Sequence, residues 1–396
     1  MPTKITLFDD TTTRENLLPL TLTRPVAALR VGIKTIAEKW AHALNADVDF
    51  LTVDYLAKKF PGPDGPDETS LFIAGNIFPT PPLLKLLSNL QFGHALLDDN
   101  ARLIAFNGTL DRFNNKQFSN SAIAPAAIID GIFMLWDIFQ KNGSQIQADF
   151  LALTSGRSGM PISDSCTIIG PRENLFIEPG ATIEGAFINV KSGPVYVAEN
   201  AEIMEGSCLR GPIAIGSHAT VNMGTKIYGA TTIGPHCKVG GELNNVVMIA
   251  FSNKAHDGFL GNAVIGEWCN LGAGCVASNL KNDYTQIKLW NYPAHRFLPT
   301  GLQFCGLIMG DHSKAGINTM FNTATVVGVG VNIHGSGFPR NFIPSFSEGS
   351  TAGFSDVSMT KFFQIAERAM ARRNIALTET DRNIFYAIRD FADRYK

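Results

Sequence analysis

The sequence predicts an α/β domain followed by a left-handed parallel β-helix and C-terminal helices. Three observations support this fold class. Short apolar runs alternate with helical patterns up to about residue 155, an aliphatic residue recurs every six positions over 162–340, and helical periods of apolar residues follow in 341–396. The chain has 396 residues, of which 45 % are apolar, and this is enough for two domains with separate cores. The sequence therefore divides into regions 1–155, 162–340 and 341–396.

The first region has the alternation that is typical of an α/β layer structure. The runs KITLF, SLFIAG and HALLDD have the length of strands, and GIKTIAEKWAHAL has the spacing of an amphipathic helix. The stretch FPGPDGPDETS is rich in proline and glycine and predicts a surface loop. The sequence TSGRSGMPISDS at 154–165 marks the predicted boundary.

The six-residue repeat is the strongest signal in the chain. It fits neither the 3.6-residue period of a helix nor an alternating strand, but it fits a short strand plus a tight corner, three per coil, with the aliphatic residue inside. Glycine or asparagine is expected at corners with unusual dihedrals, and small residues four positions after a repeat residue are expected to pack the corners. The repeat residues are Ile177, Ile183, Val197, Ile203, Leu209, Ile215, Val221, Ile227, Ile233, Val239, Ile265, Leu271, Met309, Ala315, Phe321, Val327 and Ile333.

Two stretches interrupt the repeat, NNVVMIAFSNKAHDGFLGN at 244–262 and NLKNDYTQIKLWNYPAHRFLPTGLQFCG at 279–306. Insertions in a solenoid collect on one face and often form the binding site, so function is expected here. After residue 340, two apolar stripes predict helices, the second started by the capping pair Thr378 and Asp381. The stripes are Phe362, Ile365, Ala366 and Ala369, and Ile384, Ile388, Phe391 and Tyr395.

The composition favours a protein that acts on small molecules. The 33 basic and 35 acidic residues give no electrostatic footprint for nucleic acid or a membrane surface. The six cysteines form no CxxC pair and are expected to be buried free thiols. The N-terminal sequence lacks an apolar signal segment, and no apolar run is long enough for a membrane span. A cytoplasmic protein is therefore expected.

The stretches KAHDGFLGNAVIGEWCNLGAGCVASN and TGLQFCGLIMGDHSKAGINTMFNTATVVGVG resemble the acetyltransferase half of the GlmU-like bifunctional family, the N-acetylglucosamine-1-phosphate uridyltransferases. The similarity covers about residues 240–335. It implies an acetyl-CoA-dependent N-acetyltransferase that acts on an amino-sugar phosphate such as glucosamine 1-phosphate, in nucleotide-sugar biosynthesis. It also implies a homotrimer with active sites in the grooves between chains.

The N-terminal region resembles the same family over LFDD and RENLLPLTLTRPVAALRVGIKTI, which implies a truncated nucleotidyltransferase-like domain. Arg14 and Arg24 stand for the signature arginine and lysine that bind nucleotide. The glycine-rich loop that would bind a triphosphate such as UTP is absent. Asn76 replaces the aspartate that would hold Mg²⁺, and an amide is a weaker magnesium ligand than a carboxylate.

His256 is the predicted catalytic base. Acetyl transfer from a thioester to an amine needs a group that takes the amine proton, and histidine suits this role near neutral pH. By the resemblance, Glu242 orients the histidine or the amine. Phe259 replaces a family tyrosine, and Asn244 replaces the lysine that binds the sugar phosphate. Other cations in the repeat are candidates for that phosphate: Lys226, Lys238, Lys254 and Arg210.

The resemblance also assigns the binding residues. Asn270 and Asn279 would hydrogen-bond the sugar. Ala273, Ile317 and Gly335 match positions where the pantetheine arm of acetyl-CoA lies along the backbone, and a backbone N–H there would stabilise the tetrahedral oxyanion. The other histidines are expected to be structural: His42, His94, His218, His236, His295, His312 and His334.

Three other functions compete with the acetyltransferase. The N-terminal region favours a sugar-1-phosphate nucleotidyltransferase similar to UDP-N-acetylglucosamine diphosphorylase, with Mg²⁺-dependent release of pyrophosphate. A trimeric scaffold in which both sites have decayed is the second alternative. A trimeric zinc hydratase needs histidines on adjacent coils, and no HxxxxH occurs, so no metal site is assigned.

Overall fold

The computed structural model describes residues 4–395, which form two compact units. The first unit runs to Leu29 and resumes over Lys34–Asp137, whereas the second takes in Arg30–Ile33 and continues from Ile138. The domain boundaries predicted from the sequence rest on composition and on the six-residue repeat, whereas the two units are defined by which residues contact each other. Residues 4–395 contain no helix with the length and apolarity that a membrane span requires.

The first unit is built on a mixed sheet of six strands in the order β2-β1-β3-β5-β4-β6. β1 pairs in parallel with β2 and β3, whereas β5 runs antiparallel to β3 and β4. The predicted strands KITLF, SLFIAG and HALLDD correspond to β1, β3 and β4, and the predicted helix to α2. The strands are β1 (Lys4–Phe8), β2 (Asp47–Leu51), β3 (Thr69–Ala74), β4 (His94–Leu97), β5 (Leu103–Thr109) and β6 (Asn120–Ile123). The helices are α1 (Thr11–Asn16), α2 (Ile36–Leu44), α3 (Asp54–Ala57), α4 (Pro81–Ser88) and α5 (Leu110–Asn114), with short 3-10 turns at Val26–Ala28 and Ala126–Ile128.

The second unit opens with helix α6 (Asp137–Thr154) and continues as a parallel β-solenoid. Its short strands form a 15-stranded sheet and a 10-stranded sheet, and β24 and β25 form a separate antiparallel hairpin. The strands are β7 (Thr167–Ile169), β8 (Leu175–Ile177), β9 (Thr182–Ile183), β10 (Phe187–Asn189), β11 (Val195–Val197), β12 (Glu202–Ile203), β13 (Cys208–Arg210), β14 (Ile213–Ile215), β15 (Thr220–Val221), β16 (Lys226–Tyr228), β17 (Thr231–Ile233), β18 (Lys238–Val239), β19 (Glu242–Ala250), β20 (Asn253–Lys254), β21 (Phe259–Glu267), β22 (Asn270–Leu271), β23 (Val276–Ala277), β24 (Lys288–Asn291), β25 (Arg296–Pro299), β26 (Ile308–Met309), β27 (Lys314–Ala315), β28 (Met320–Phe321), β29 (Val326–Val327), β30 (Asn332–Ile333), β31 (Phe342–Ile343), β32 (Ser347–Ser350) and β33 (Gly353–Asp356).

The core of the solenoid confirms the six-residue repeat. Every repeat residue named from the sequence belongs to one apolar cluster and is at most 5 % exposed. The small residues four positions later are also buried, among them Cys237, Cys269 and Cys275. All six cysteines are free; Cys208 is exposed and Cys166 is half-buried, so the expected burial fails at these two. Inward aliphatic side chains and small corner residues together fill each coil.

The first interruption of the repeat is not an insertion. Strands β19 and β21 pair in parallel from Glu242 opposite Phe259 to Ala250 opposite Glu267, so the coil continues without a gap. Met248, Lys254 and Leu260 keep the six-residue spacing and are fully buried, but a lysine stands where an aliphatic residue is expected. The second interruption does hold an insertion, because the hairpin of β24 and β25 lies within it.

The solenoid also continues beyond residue 340, where the sequence predicts the helical region to begin. Strands β31 and β32 extend the two sheets, and β33 turns back along β32 as far as Asp356. Helices α7 (Met359–Ala371) and α8 (Glu379–Ala392) follow, and a 3-10 turn spans Asp393–Tyr395. The predicted capping pair is confirmed, since Thr378 and Asp381 form a reciprocal capping box at the start of α8.

A half-buried ion pair joins the segment that follows α6 to the first coils of the solenoid. The guanidinium of Arg157 donates to both carboxylate oxygens of Glu178 at 2.9 and 2.6 Å, and the hydroxyl of Tyr196 donates to the same carboxylate at 2.6 Å. Burial raises the pKa of Glu178, but the hydrogen bonds from Arg157 and Tyr196 outweigh burial and hold it below its ordinary value.

Glu178→Gln is expected to lower the free energy of unfolding at pH 7 by about 1–2 kcal/mol, because half of the Arg157 side chain is exposed and water screens the pair. A carboxylate whose folded pKa is depressed stabilises the fold above its unfolded pKa, and this contribution is lost as the pH falls through the folded pKa. Urea unfolding at pH 7 and pH 3 measures the difference, which should shrink at pH 3. The exposed Glu173 offers the matched control Glu173→Gln, and equal effects of the two variants would contradict the expectation.

Candidate active site

A pocket of about 560 Å³ lies against the outer face of the 10-stranded sheet. The first residue of each of four strands forms its floor, in the register Lys238, Asn253, Asn270 and Lys314 along β18, β20, β22 and β27. The second residue of each strand is buried in the solenoid. Successive side chains of a strand point to opposite faces of the sheet. The first residues of the four strands therefore place their polar side chains side by side on the outer surface.

Stacked aromatic rings form one wall of the pocket. Phe251 and Trp268 lie with ring centroids 4.3 Å apart, and the stack extends through His236 and His218 on one side and towards His312 on the other. These five residues have φ between 53° and 59°, in the left-handed region where the sequence predicts glycine or asparagine. The stacking of flat rings offsets the cost of this backbone conformation.

His256 lies at the opposite side of the pocket, where β20 ends and the chain turns. Its side chain is exposed, while the backbone around it is held from both sides. Asn222 Nδ2 donates to the carbonyl oxygen of Ala255 at 2.8 Å, and the buried ammonium of Lys254 donates to the carbonyl oxygens of His256 and, at 3.3 Å, Gly240. Burial lowers the pKa of Lys254 from its ordinary value. The imidazole therefore projects from a fixed backbone.

Of the residues predicted from the sequence, the structure brings His256, Asn270 and the phosphate candidate Lys238 together in this pocket. Asn270 is exposed on the sheet, one register step from Asn253. Its backbone N–H donates to the carbonyl oxygen of Ser313 at 3.0 Å, and its exposed side-chain amide lines the pocket. The pairing of an imidazole with an amide is suited to a base that acts beside a hydroxylated substrate.

The three residues predicted to contact acetyl-CoA lie outside the pocket, at the same corner as His256 in later coils. The backbone N–H of Gly274 donates to Asp257, next to His256, at 3.0 Å, and that of Asn318 donates to Ala273 at 2.8 Å. Ile317, beside Asn318, is 71 % exposed.

Gly335 belongs to the next coil of this series. Its backbone is in the left-handed region, with φ of 86°. The preceding residue, His334, lies close to Gly316 of the coil before, because a Cβ built on Gly316 would be 3.7 Å from the Cα of His334. Within residues 4–395, the backbone N–H groups of Ala273, Ile317 and Gly335 donate no hydrogen bond. One edge of the solenoid therefore carries the imidazole and a row of unused amide donors.

Two predicted residues lie elsewhere on the solenoid. Glu242 begins β19 on the 15-stranded sheet, opposite Lys226 and Phe259, and does not line the pocket of His256. Asn279 is half-buried, and its Nδ2 donates to Asn262 Oδ1 at 2.8 Å. Asn262 in turn donates to Asn245 Oδ1 at 2.9 Å, so three asparagines one coil apart form a ladder. The side-chain amide of Asn279 is thus engaged in this ladder.

The two arginines predicted to bind nucleotide are buried in the first unit. Arg14 is 7 % exposed, and its Nη2 donates to the carbonyl oxygen of Thr21 at 2.7 Å and to the hydroxyl of Tyr55 at 2.8 Å. Arg24 is 4 % exposed. Asn76, which replaces the family aspartate, is buried and donates to the carbonyl oxygen of Ile132 at 3.1 Å. Within residues 4–395, no group of three or more His, Cys, Asp or Glu side chains is arranged to hold a metal ion.

The pocket contains residues that sequence reasoning assigned no role. Phe251 and Trp268 each occupy the corner position of a coil. The sequence indicates these positions when Lys254 is counted as an inward residue of the six-residue repeat. Arg372 and Arg373, at the end of α7, gave no such signal, because their place depends on how the helix packs on the sheet.

Comparisons with known proteins match parts of this chain. Residues 5–158 match the sugar nucleotidyl transferase family. The bifunctional sugar-1-phosphate nucleotidylyltransferase/acetyltransferase of Sulfurisphaera tokodaii is 34 % identical over 149 residues, which is 37 % of either chain. The bifunctional protein GlmU of Methanocaldococcus jannaschii is 34 % identical over 73 residues, 18 % of this chain and 17 % of its own. The alignments thus span well under half of each relative.

Two solved structures have low TM-scores. The UDP-N-acetylglucosamine acyltransferase of Francisella novicida has a TM-score of 0.28 and 14 % identity, covering 59 % of this chain and 76 % of its own. The N-acyltransferase AntD of Bacillus cereus has a TM-score of 0.20 and 14 % identity, covering 53 % and 88 %. Taken together, the nucleotidyl transferase match, the two bifunctional relatives and the β-solenoid after the α/β domain fit a GlmU-like protein.

Proposed function

We propose that the chain is an acetyl-CoA-dependent N-acetyltransferase of an amino-sugar phosphate such as glucosamine 1-phosphate. The observation that carries the proposal is the meeting of His256 and Asn270 in one pocket on the solenoid. A volume of about 560 Å³ is within the range that small-molecule sites occupy. The names of the two bifunctional relatives, one an acetyltransferase, support the same class of reaction.

The reaction needs one base and one oxyanion donor. The acceptor amine attacks the thioester carbonyl carbon, a C–N bond forms, and His256 takes the proton that the nitrogen releases. The backbone N–H of Ala273, one coil away at the same corner, donates to the oxyanion. The C–S bond then breaks, and the departing thiolate of coenzyme A takes the proton from the imidazolium, which restores neutral His256.

The test of this function is the release of free thiol from acetyl-CoA. Glucosamine 1-phosphate, galactosamine 1-phosphate and unphosphorylated glucosamine are offered in parallel, and the acetylated product is identified by mass spectrometry. We expect thiol release that depends on a phosphorylated amino sugar. Release no faster than hydrolysis with all three acceptors would refute the proposal.

The two candidate sugar ligands should respond differently to substitution. Asn270→Ala is expected to raise the KM for the acceptor about 10-fold with an unchanged Tm, because an exposed amide that bonds substrate is lost. Asn279→Ala is expected to lower the Tm by several degrees with little change in KM, since its amide bonds Asn262. Steady-state kinetics and thermal unfolding measure both, and the reverse pattern would reassign the two residues.

A sugar-1-phosphate nucleotidyltransferase is the second candidate, and the family match over residues 5–158 favours it. Its substrates would be UTP and a sugar 1-phosphate, with Mg²⁺ as the metal. The buried positions of Arg14 and Arg24 leave neither guanidinium on the surface for a nucleotide. Release of pyrophosphate from several nucleoside triphosphates in the presence of a sugar 1-phosphate, with and without Mg²⁺, tests this activity separately from thiol release.

A further inference from the structure

The end of helix α7 forms the wall of the pocket that faces the sheet, through Ala369, Arg372 and Arg373. Together with Lys238 and Lys314 on the floor, the two arginines give the pocket four cationic side chains. Among residues 4–395, no aspartate or glutamate lines the pocket. The partial negative charge at the C-terminal end of a helix offsets about half of one elementary charge, so the pocket keeps a strong positive potential.

The neighbours of these cations fix two of them in place. Arg373 Nη2 donates to the carbonyl oxygen of His236 at 3.1 Å and to Asn253 Oδ1 at 3.4 Å. The ammonium of Lys314 donates to the carbonyl oxygens of Trp268 at 2.5 Å and His312 at 3.3 Å, and burial lowers its pKa from the ordinary value. Both groups are therefore held beside the pocket, and each has further N–H donors.

The other two cations, Lys238 and Arg372, are not fixed by neighbours in this way. Within residues 4–395, Lys238 and Arg372 make no ion pair and no side-chain hydrogen bond. Like charges that line one cavity repel each other, and an anion bound between them removes this cost. A phosphate group suits the set, because it carries up to two charges and several acceptor oxygens, and because arginine binds it in a forked geometry.

We propose that Arg372 and Arg373, with Lys238 and Lys314, bind the phosphate group of the acceptor sugar. This inference rests on the proposed function and names the part of the substrate that the pocket recognises. Coenzyme A also carries phosphates, but the residues predicted to contact it lie outside the pocket, whereas His256 and Asn270 lie inside. A phosphate bound by α7 on one side would direct the sugar amine towards the imidazole on the other.

The double variant Arg372→Gln/Arg373→Gln tests this site, with the exposed Arg368→Gln on the same helix as the matched control. Glutamine keeps the helix propensity of arginine, and circular dichroism checks the fold. Binding is measured by calorimetry without acetyl-CoA, so the result does not depend on activity. We expect the wild type and the control to bind glucosamine 1-phosphate, and the double variant to bind it about 10- to 100-fold more weakly.

The arms of the experiment separate the sources of phosphate. Glucosamine should bind weakly and equally to all variants, and inorganic phosphate should compete with glucosamine 1-phosphate in the wild type. If the double variant loses affinity for coenzyme A and keeps it for the sugar phosphate, or if it binds both as the wild type does, the assignment is wrong. Binding of the sugar phosphate without thiol release in the assay above would refute the proposed function and leave the phosphate site standing.

Discussion

His256→Ala is expected to lower the turnover of acetyl-CoA with glucosamine 1-phosphate by about 10²- to 10⁴-fold, which is the usual contribution of a positioned general base. The Tm should stay within about a degree of the wild type, because the side chain is exposed and the anchoring hydrogen bonds use backbone carbonyls. Thiol release under saturating substrate measures turnover, and differential scanning fluorimetry measures the Tm.

The control for this variant is His42→Ala, since His42 is exposed on helix α2 of the first unit. It should retain full turnover. Added imidazole should restore part of the activity of His256→Ala, because a free base can enter the space that the side chain leaves, and it should do nothing for the wild type. Turnover equal to that of the wild type would remove His256 from the role of base.

The architecture of the solenoid was accessible from the sequence because its cause is local. A six-residue spacing of aliphatic residues matches the short strand and tight corner of a solenoid coil, and each residue that follows it is buried in the core. The spacing is not apparent at 244–262, because Lys254 occupies the inward position of β20. A lysine in a sequence pattern predicts a surface position, because lysine is rarely buried. The structure shows that the ammonium of Lys254 is buried and donates hydrogen bonds to backbone carbonyl oxygens at the corner.

The candidate site was accessible in part, for the same reason. The resemblance assigns roles to His256 and Asn270, and the register of consecutive coils places both side chains in one pocket. Arg373 reaches the sheet from a distance of 120 residues along the chain to Asn253, and no periodicity encodes that contact. For Asn279 the sequence alone does not separate two roles. An asparagine that recurs at one position per coil can hydrogen-bond the asparagines of neighbouring coils or a ligand.

Lys254→Met is expected to leave the free energy of unfolding within about 2 kcal/mol of the wild type while lowering kcat about 10-fold or more. Methionine has a similar length and suits an aliphatic position, and it removes the cost of desolvating an ammonium, which is several kcal/mol. Against this, two carbonyl oxygens lose their donor, at about 1–3 kcal/mol each where they stay buried. These opposing contributions nearly cancel in stability, but the loss of turnover has no such compensation.

The loss of turnover follows from the freedom that the corner gains. Without the ammonium, the carbonyl oxygen of His256 loses its donor, and the corner is held through the neighbouring carbonyls of Ala255 and Asp257. A displacement of about 1 Å at a reacting group can cost 10²-fold in rate. Leu271→Met, at the inward position of the next strand, is the matched control and should leave kcat unchanged. Lys254→Ala should lose the same activity and, in addition, about 2–5 kcal/mol of stability through the cavity it creates. Because Lys254 acts through the backbone, imidazole should not rescue Lys254→Met, and full kcat in that variant would show that the corner holds the base without the buried ammonium.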